Sequence, residues 1–228
     1  MTNRWSRLGP YVPWLAATVL ATAGAAVLEV RGADAFDRFL GPLSPTLVVT
    51  AAGAAGLVAL DRLRARGYWR RAAFARTCRG LAVATAATLP FAAVAIAADA
   101  AIGYPRDTNV TGPQAWLFYP SVALVAETVF HLLPLAALAW LSRTHLSGRA
   151  ITPRAAGLIA ATAAVEPAAQ VALGTALPLF TAGHVYAFGV VQLVLLRRYG
   201  YVPMLWFRLC YYLLWHLLWG TARLELLF

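Results

Sequence analysis

The chain has 228 residues, of which 61% are hydrophobic and only 12% charged, with a mean hydropathy of +0.67. A soluble domain carries about twice that charged fraction, so the composition excludes a water-soluble globular enzyme and points to a polytopic α-helical membrane protein. The formal net charge is +10 and all 19 basic residues are arginine; they fall between the apolar runs, where they read as topology signals and contacts to anionic lipid headgroups rather than to nucleic acid.

Taken in order, the apolar runs predict about seven spans. Arg4 and Arg7 precede a first span over 11–30, too long for a signal-peptide core and read as a retained helix. A polar loop leads to a short, Gly/Ala-rich second span over 46–60, suited to close helix packing. Residues 61–79 carry seven arginines interleaved with Tyr68, Trp69 and Phe74, the pattern of a segment lying at the membrane surface. The third span covers 80–102 and contains Pro90 and Asp99. The following loop has turn composition and includes the sequon Asn109-Val110-Thr111.

The fourth span, 114–141, carries Glu127 and His131 four residues apart and so on one helix face. The fifth, 155–173, holds Glu166-Pro167 and Gln170; the sixth, 177–196, holds His184 and Gln192; the seventh, 203–220, holds Arg208, Tyr211, Tyr212 and His216. Arginine is concentrated in the N-terminal tail, 61–79, 142–154 and the turn at Arg197-Arg198. By the positive-inside rule this places the N-terminus inside and the C-terminus outside. No soluble segment is long enough for a core of its own, so 1–228 reads as one membrane domain. Its first half (1–113) holds spans one to three, and its second (114–228) the polar residues. Cys78 and Cys210 have neither a disulfide nor a zinc-ligand spacing.

An ionisable group at membrane depth costs roughly 3 kcal/mol or more and marks a candidate site. Spans four to seven hold nearly all such groups, and each is expected to face the others inside the bundle. Glu127, Glu166, His184 and His216 fall at converging depths, and two histidines with one glutamate make a zinc-type donor set that leaves a position for water. Without a metal, a glutamate serves as general base and the histidines stabilise an oxyanion. Each residue has a structural alternative. Glu127 and His131 form a bracing pair, Glu166 answers the backbone freed by Pro167, and the histidines donate to carbonyls. Arg208 either snorkels to the interface or pairs with Glu166. Gln170 and Gln192 read as interhelical hydrogen-bonding residues, and His145 as solvated.

Three short patterns in the late helices carry a resemblance: Ala126-Glu127-Thr128-Val129-Phe130-His131, Phe180-Thr181-Ala182-Gly183-His184, and His216-Leu217-Leu218-Trp219-Gly220. In order and helix placement they resemble the E-E-x-x-x-R, F-x-x-x-H and H-x-x-x-N motifs of the CPBP family, the type II CAAX prenyl endopeptidases and bacteriocin-processing intramembrane proteases. The resemblance spans 114–223. Ala126, His131 and Gly220 stand where the family has Glu, Arg and Asn.

The resemblance implies an intramembrane hydrolase that cuts a peptide bond near a membrane-embedded or lipidated segment. It would act with a divalent metal such as zinc, or with none. Glu127 would be base or ligand, His184 and His216 ligands or oxyanion donors, and His131 and Glu166 supporting or catalytic neighbours. The expected partners are membrane lipids and a peptide or protein substrate, and the expected setting is the cell membrane of a prokaryote. The alternatives are an inactive relative acting as a scaffold or chaperone-like protein, and a small proton-coupled transporter.

Overall fold

The computed structural model describes residues 9–143, 145, 150–175 and 177–228; the basic start at Arg4 and Arg7 lies outside the described residues. All regular structure among those residues is helical. Six helices are long and apolar enough to cross a membrane: α1 (Gly9–Val30), α2 (Pro45–Ala65), α3 (Phe74–Ile102), α4 (Ala115–Leu141), α5 (Pro153–Ala172) and α6 (Pro178–Tyr199). A further helix, α7 (201–226), completes the bundle. Its tyrosines, tryptophans, arginines and histidine make it more polar than the other six.

Helix starts follow local chemistry. Pro45, Pro153 and Pro178 each open a helix, where the missing N–H of proline would have had no partner. Ser44 and Thr152 cap the first two by accepting from Leu47 N and Ala155 N, both at 3.3 Å. Gly200 separates α6 from α7 at φ +97°, a left-handed conformation that a side chain disfavours.

Close packing between α1 and α2 depends on small residues. The Trp14 indole N–H donates to the Gly53 carbonyl at 2.9 Å, and its ring covers Gly56. A Cβ at Gly56 would sit 2.2 Å from Trp14 Cζ2 and 2.8 Å from Thr128 Oγ1 of α4. The glycines of the second span thus let three helices meet.

The seventh helix runs from one end of the bundle to the other. At its start, the Tyr201 hydroxyl donates to Pro10 O at 2.9 Å. At the same end Arg197 donates to Gly67 O, Tyr68 O and Ala150 O. At the opposite end Arg223 grips Asp99 through Nε (2.6 Å) and Nη2 (2.8 Å) and donates to Tyr104 O and Pro105 O.

The stretch 61–79 differs from the expected surface segment. Its beginning completes α2 and its end begins α3, leaving a loop over 66–73. Tyr68 and Trp69 are buried. Burial is possible because each ring has an acceptor: the Trp69 indole donates to Leu60 O at 2.7 Å and the Tyr68 hydroxyl to Leu193 O at 3.5 Å. Cys78 and Cys210 are free thiols.

Candidate functional site

Two irregular turns shape the site. In α4 the backbone is π-helical over Glu127–Leu132, closed by an i→i+5 bond from Leu133 N to Thr128 O. Pro134 follows; its ring crowds the Phe130 carbonyl one turn earlier, which accounts for the widening. In α7 a second π-helical stretch spans Tyr212–Trp219. Such bulges recur at functional sites because they re-aim side chains. In α5 the helix breaks at Ala164, between Pro153–Ala163 and Val165–Ala172. Pro167 crowds the Ala163 carbonyl in the same way and turns Glu166 inward.

The centre of the bundle is Arg208. Its Nε donates to Glu127 Oε1 at 2.7 Å. Nη1 donates to Glu166 Oε1 at 3.0 Å and to the Tyr212 hydroxyl at 3.1 Å. Nη2 donates to Glu166 Oε2 at 2.6 Å and to Gln192 Oε1 at 3.1 Å. All five N–H groups of the guanidinium are engaged, the arrangement that makes a buried ion pair tolerable. Gln192 also donates to Glu127 Oε1. Four helices, α4 to α7, are thereby tied through one buried cation. Of the two readings of Arg208, the inward pairing with Glu166 is the observed one.

His131 is fully buried beside this cluster. Its Nδ1 lies 3.7 Å from Glu127 Oε2 and its Nε2 3.8 Å from Glu166 Oε2. Gln170 bonds Glu166 of its own helix at 3.3 Å, so it does not join helices as expected; its position one turn along puts Glu166 within closer reach than any neighbouring helix.

His184 and His216 lie elsewhere, on the wall of a cavity of about 200 Å³ that also takes in Glu166, Arg208, Tyr211 and Tyr212. Tyr104, Thr108 and Thr175 place its mouth at the end away from the arginine-rich loops. Burial pushes the Tyr104 hydroxyl pKa up, and the charge of Asp99 adds to the shift. His184 is half-buried, stacked on Phe180 (5.3 Å between ring centres, 16°), with Nε2 3.3 Å from the Tyr211 hydroxyl. His216 stacks on Tyr119 (4.8 Å, 22°), and its Nδ1 is 2.6 Å from Asn109 Oδ1.

The polar residues of the late helices therefore occupy two layers. Glu127 and His131 lie in an inner charged layer, His184 and His216 on an outer cavity wall, and Glu166 and Arg208 belong to both. Glu127, His184 and His216 are not gathered as one ligand set. Among the described residues no three His, Cys, Asp or Glu side chains are grouped to hold a metal ion, and the carboxylate oxygen Glu127 Oε1 already serves Arg208 and Gln192.

Sequence reasoning missed the site role of Asn109. It reads as a sequon, yet its side chain is buried against His216, and a glycan there would require that contact to break. Nothing in the local sequence signals a loop residue paired with one 107 positions away. Tyr211 and Tyr212 also line the cavity. His145 is exposed, as a solvated loop residue would be. No protein-family model, no curated protein and no solved structure matches this chain.

Proposed function

We propose that this protein is an intramembrane hydrolase of the CPBP type, cutting a peptide bond drawn into the cavity that His184 and His216 line. The observation that carries this reading is the Asn109–His216 pair on the cavity wall. An amide oxygen only accepts, so His216 Nδ1 is the protonated nitrogen and Nε2 the basic one. An imidazole held in that tautomer is a general base for water. His184, hydrogen-bonded to Tyr211, is the donor for the oxyanion that forms on the attacked carbonyl. Glu166 and Arg208 form the polar floor. Glu127 acts through Arg208 as a positioning residue and not as the base.

Two departures from the family's motifs are met by other parts of the chain. Gly220 stands where the motif has Asn, and a Cβ there would lie 2.8 Å from Asn109 Nδ2. The missing side chain makes room for the amide of Asn109. His131 stands where the motif has Arg, and the guanidinium beside Glu127 comes from Arg208 instead. The protein is read as lying in the cell membrane with its arginine-rich end in the cytoplasm, so the cavity opens on the opposite side.

The complete engagement of Arg208 favours a second reading, in which the polar cluster only braces four helices and the protein is a scaffold. Mass-spectrometric mapping of new N-termini in membranes separates the two. Cells carrying the wild type are expected to show cleavage products that His216→Gln and His184→Gln cells lack, and that Asn109→Ala reduces about 100-fold. Identical terminal profiles for wild type and His216→Gln, with equal protein levels, would leave the scaffold.

A further inference from the structure

Arg197 and Arg198 are consecutive near the end of α6, and they meet opposite surroundings. Arg197 is buried, and the fold uses its guanidinium: Nη1 donates to Gly67 O and Tyr68 O, and Nε and Nη2 donate to Ala150 O. Arg198 is exposed and lines a cleft of about 530 Å³ between the end of α6 and the start of α3. The other walls are Arg76 and Arg79 of α3, with Tyr199, Ala75 and Ala150.

Helix packing brings these cations together. Gly80 is buried where α3 meets α6, and a Cβ there would lie 2.7 Å from Tyr199 Cβ. Arg79 and Arg198 are the chain neighbours of that contact pair, and Arg76 lies one turn before Arg79. The close approach at Gly80 therefore sets three guanidiniums around one opening.

No carboxylate answers them. Of the nine acidic residues, only Asp61 lies at this end of the bundle, and it accepts from the Tyr11 hydroxyl at 2.7 Å. The sequence has no acid between Asp61 and Asp99, nor between Glu166 and Glu225. Among the described residues, none of the three guanidiniums takes part in an ion pair or a side-chain hydrogen bond. Membrane topology asks for arginine at this end, but it does not ask for three of them to converge on a cleft. Like charges so placed repel unless an anion sits among them.

We propose that this cleft binds the phosphate headgroup of an anionic phospholipid, which bridges α3 and α6. Guanidinium forks match phosphate oxygens, and basic pockets between transmembrane helices suit such headgroups. The setting favours a lipid over a soluble anion. The cleft lies at the helix ends, at the level of the headgroups. Phe74, which is 85% exposed, precedes Ala75 there, as an interfacial aromatic would. Val83, Ala86 and Pro90 follow Arg79 on the same helix face and are exposed, an apolar track for an acyl chain. Farther along the two helices Phe91 of α3 meets His184 of α6 edge-on, at 5.4 Å between ring centres. A lipid that clasps the start of α3 to the end of α6 holds the seam along which these rings meet.

Native mass spectrometry of the full chain, released from detergent with added lipid, tests the site. Wild type is expected to retain phosphatidylglycerol and to lose phosphatidylcholine. Arg76→Gln/Arg79→Gln/Arg198→Gln is expected to bind phosphatidylglycerol about 100-fold more weakly, roughly fivefold for each arginine removed. Arg62→Gln/Arg66→Gln/Arg154→Gln removes the same charge from the same end and is expected to keep the wild-type affinity. Equal weakening in both triple variants would show diffuse attraction to a charged surface and overturn the site, as would unchanged affinity in the first. Inorganic phosphate that displaces the lipid at equal concentration would overturn the lipid as occupant. If the first triple variant does not fold, Arg198→Gln against Arg154→Gln makes the same comparison, with a loss of about fivefold expected in the former alone. The measurement needs no substrate, so it stands or falls separately from the hydrolytic reading.

Discussion

Arg208 is the residue on which the interior depends. Substituting Arg208→Met leaves Glu127 and Glu166 buried without a counter-ion, and breaking a buried pair in this way costs about 3–5 kcal/mol. Reversible unfolding in mixed micelles is expected to show that loss. Arg208→Lys is expected to recover only part of it, because an ammonium has three donors for the contacts that the guanidinium makes with five. At this scale the sequence was informative where a polar atom sits in an apolar run. Glu127, His131 and Glu166 stand out because each is costly in hydrocarbon unless it has a partner. Which partner each finds was not legible, because Glu127 and Arg208 are 81 residues apart. Asn109 was less legible still, since an asparagine in a turn-rich loop is the ordinary case.

At the scale of the element, helix starts and stops were readable from proline and glycine, whose backbone limits act locally. The two π-helical stretches were not readable. A π turn differs from an α turn by one hydrogen-bond register, and the apolar period over 127–132 does not distinguish them. Yet the widened turn carries both Glu127 and His131 to the centre. Its packing leads to a prediction. Gly56→Ala would place a methyl group against both Trp14 and Thr128, and overpacking of this kind costs about 1–3 kcal/mol. Unfolding midpoints should fall accordingly, whereas Gly157→Ala, which meets nothing within 4 Å, should leave them unchanged or slightly raised.

For the whole molecule, the expected helical bundle matches the observed architecture. The bounds of α2 and α3 extend into the arginine-rich stretch that had read as a surface segment. The seventh helix traverses the same distance as its neighbours, pinned by Tyr201 at one end and by Arg223 at the other. Six helices among the described residues are long and apolar enough to cross a membrane, and seven crossings, the number expected from the sequence, would put the termini on opposite faces. A protease added to intact cells should therefore remove a C-terminal tag and spare an N-terminal one; removal of both or neither would contradict seven crossings in that orientation.

The sequence by itself determined the class, a bundle of membrane-spanning helices, because burial of apolar surface and the cost of charge in hydrocarbon are written into composition and spacing; it put the spans at about seven, and six helices among the described residues are long and apolar enough to cross. It also determined which polar residues had to face inward. Only the tertiary structure decided how they divide. Long-range contacts placed Glu127 and His131 with Arg208 in an inner charged ring, and left His184 and His216 on a cavity wall with Asn109. Hydrogen bonds between side chains tens of residues apart leave no trace in local pattern, so the step from a list of inward-facing groups to two coupled layers belongs to the fold.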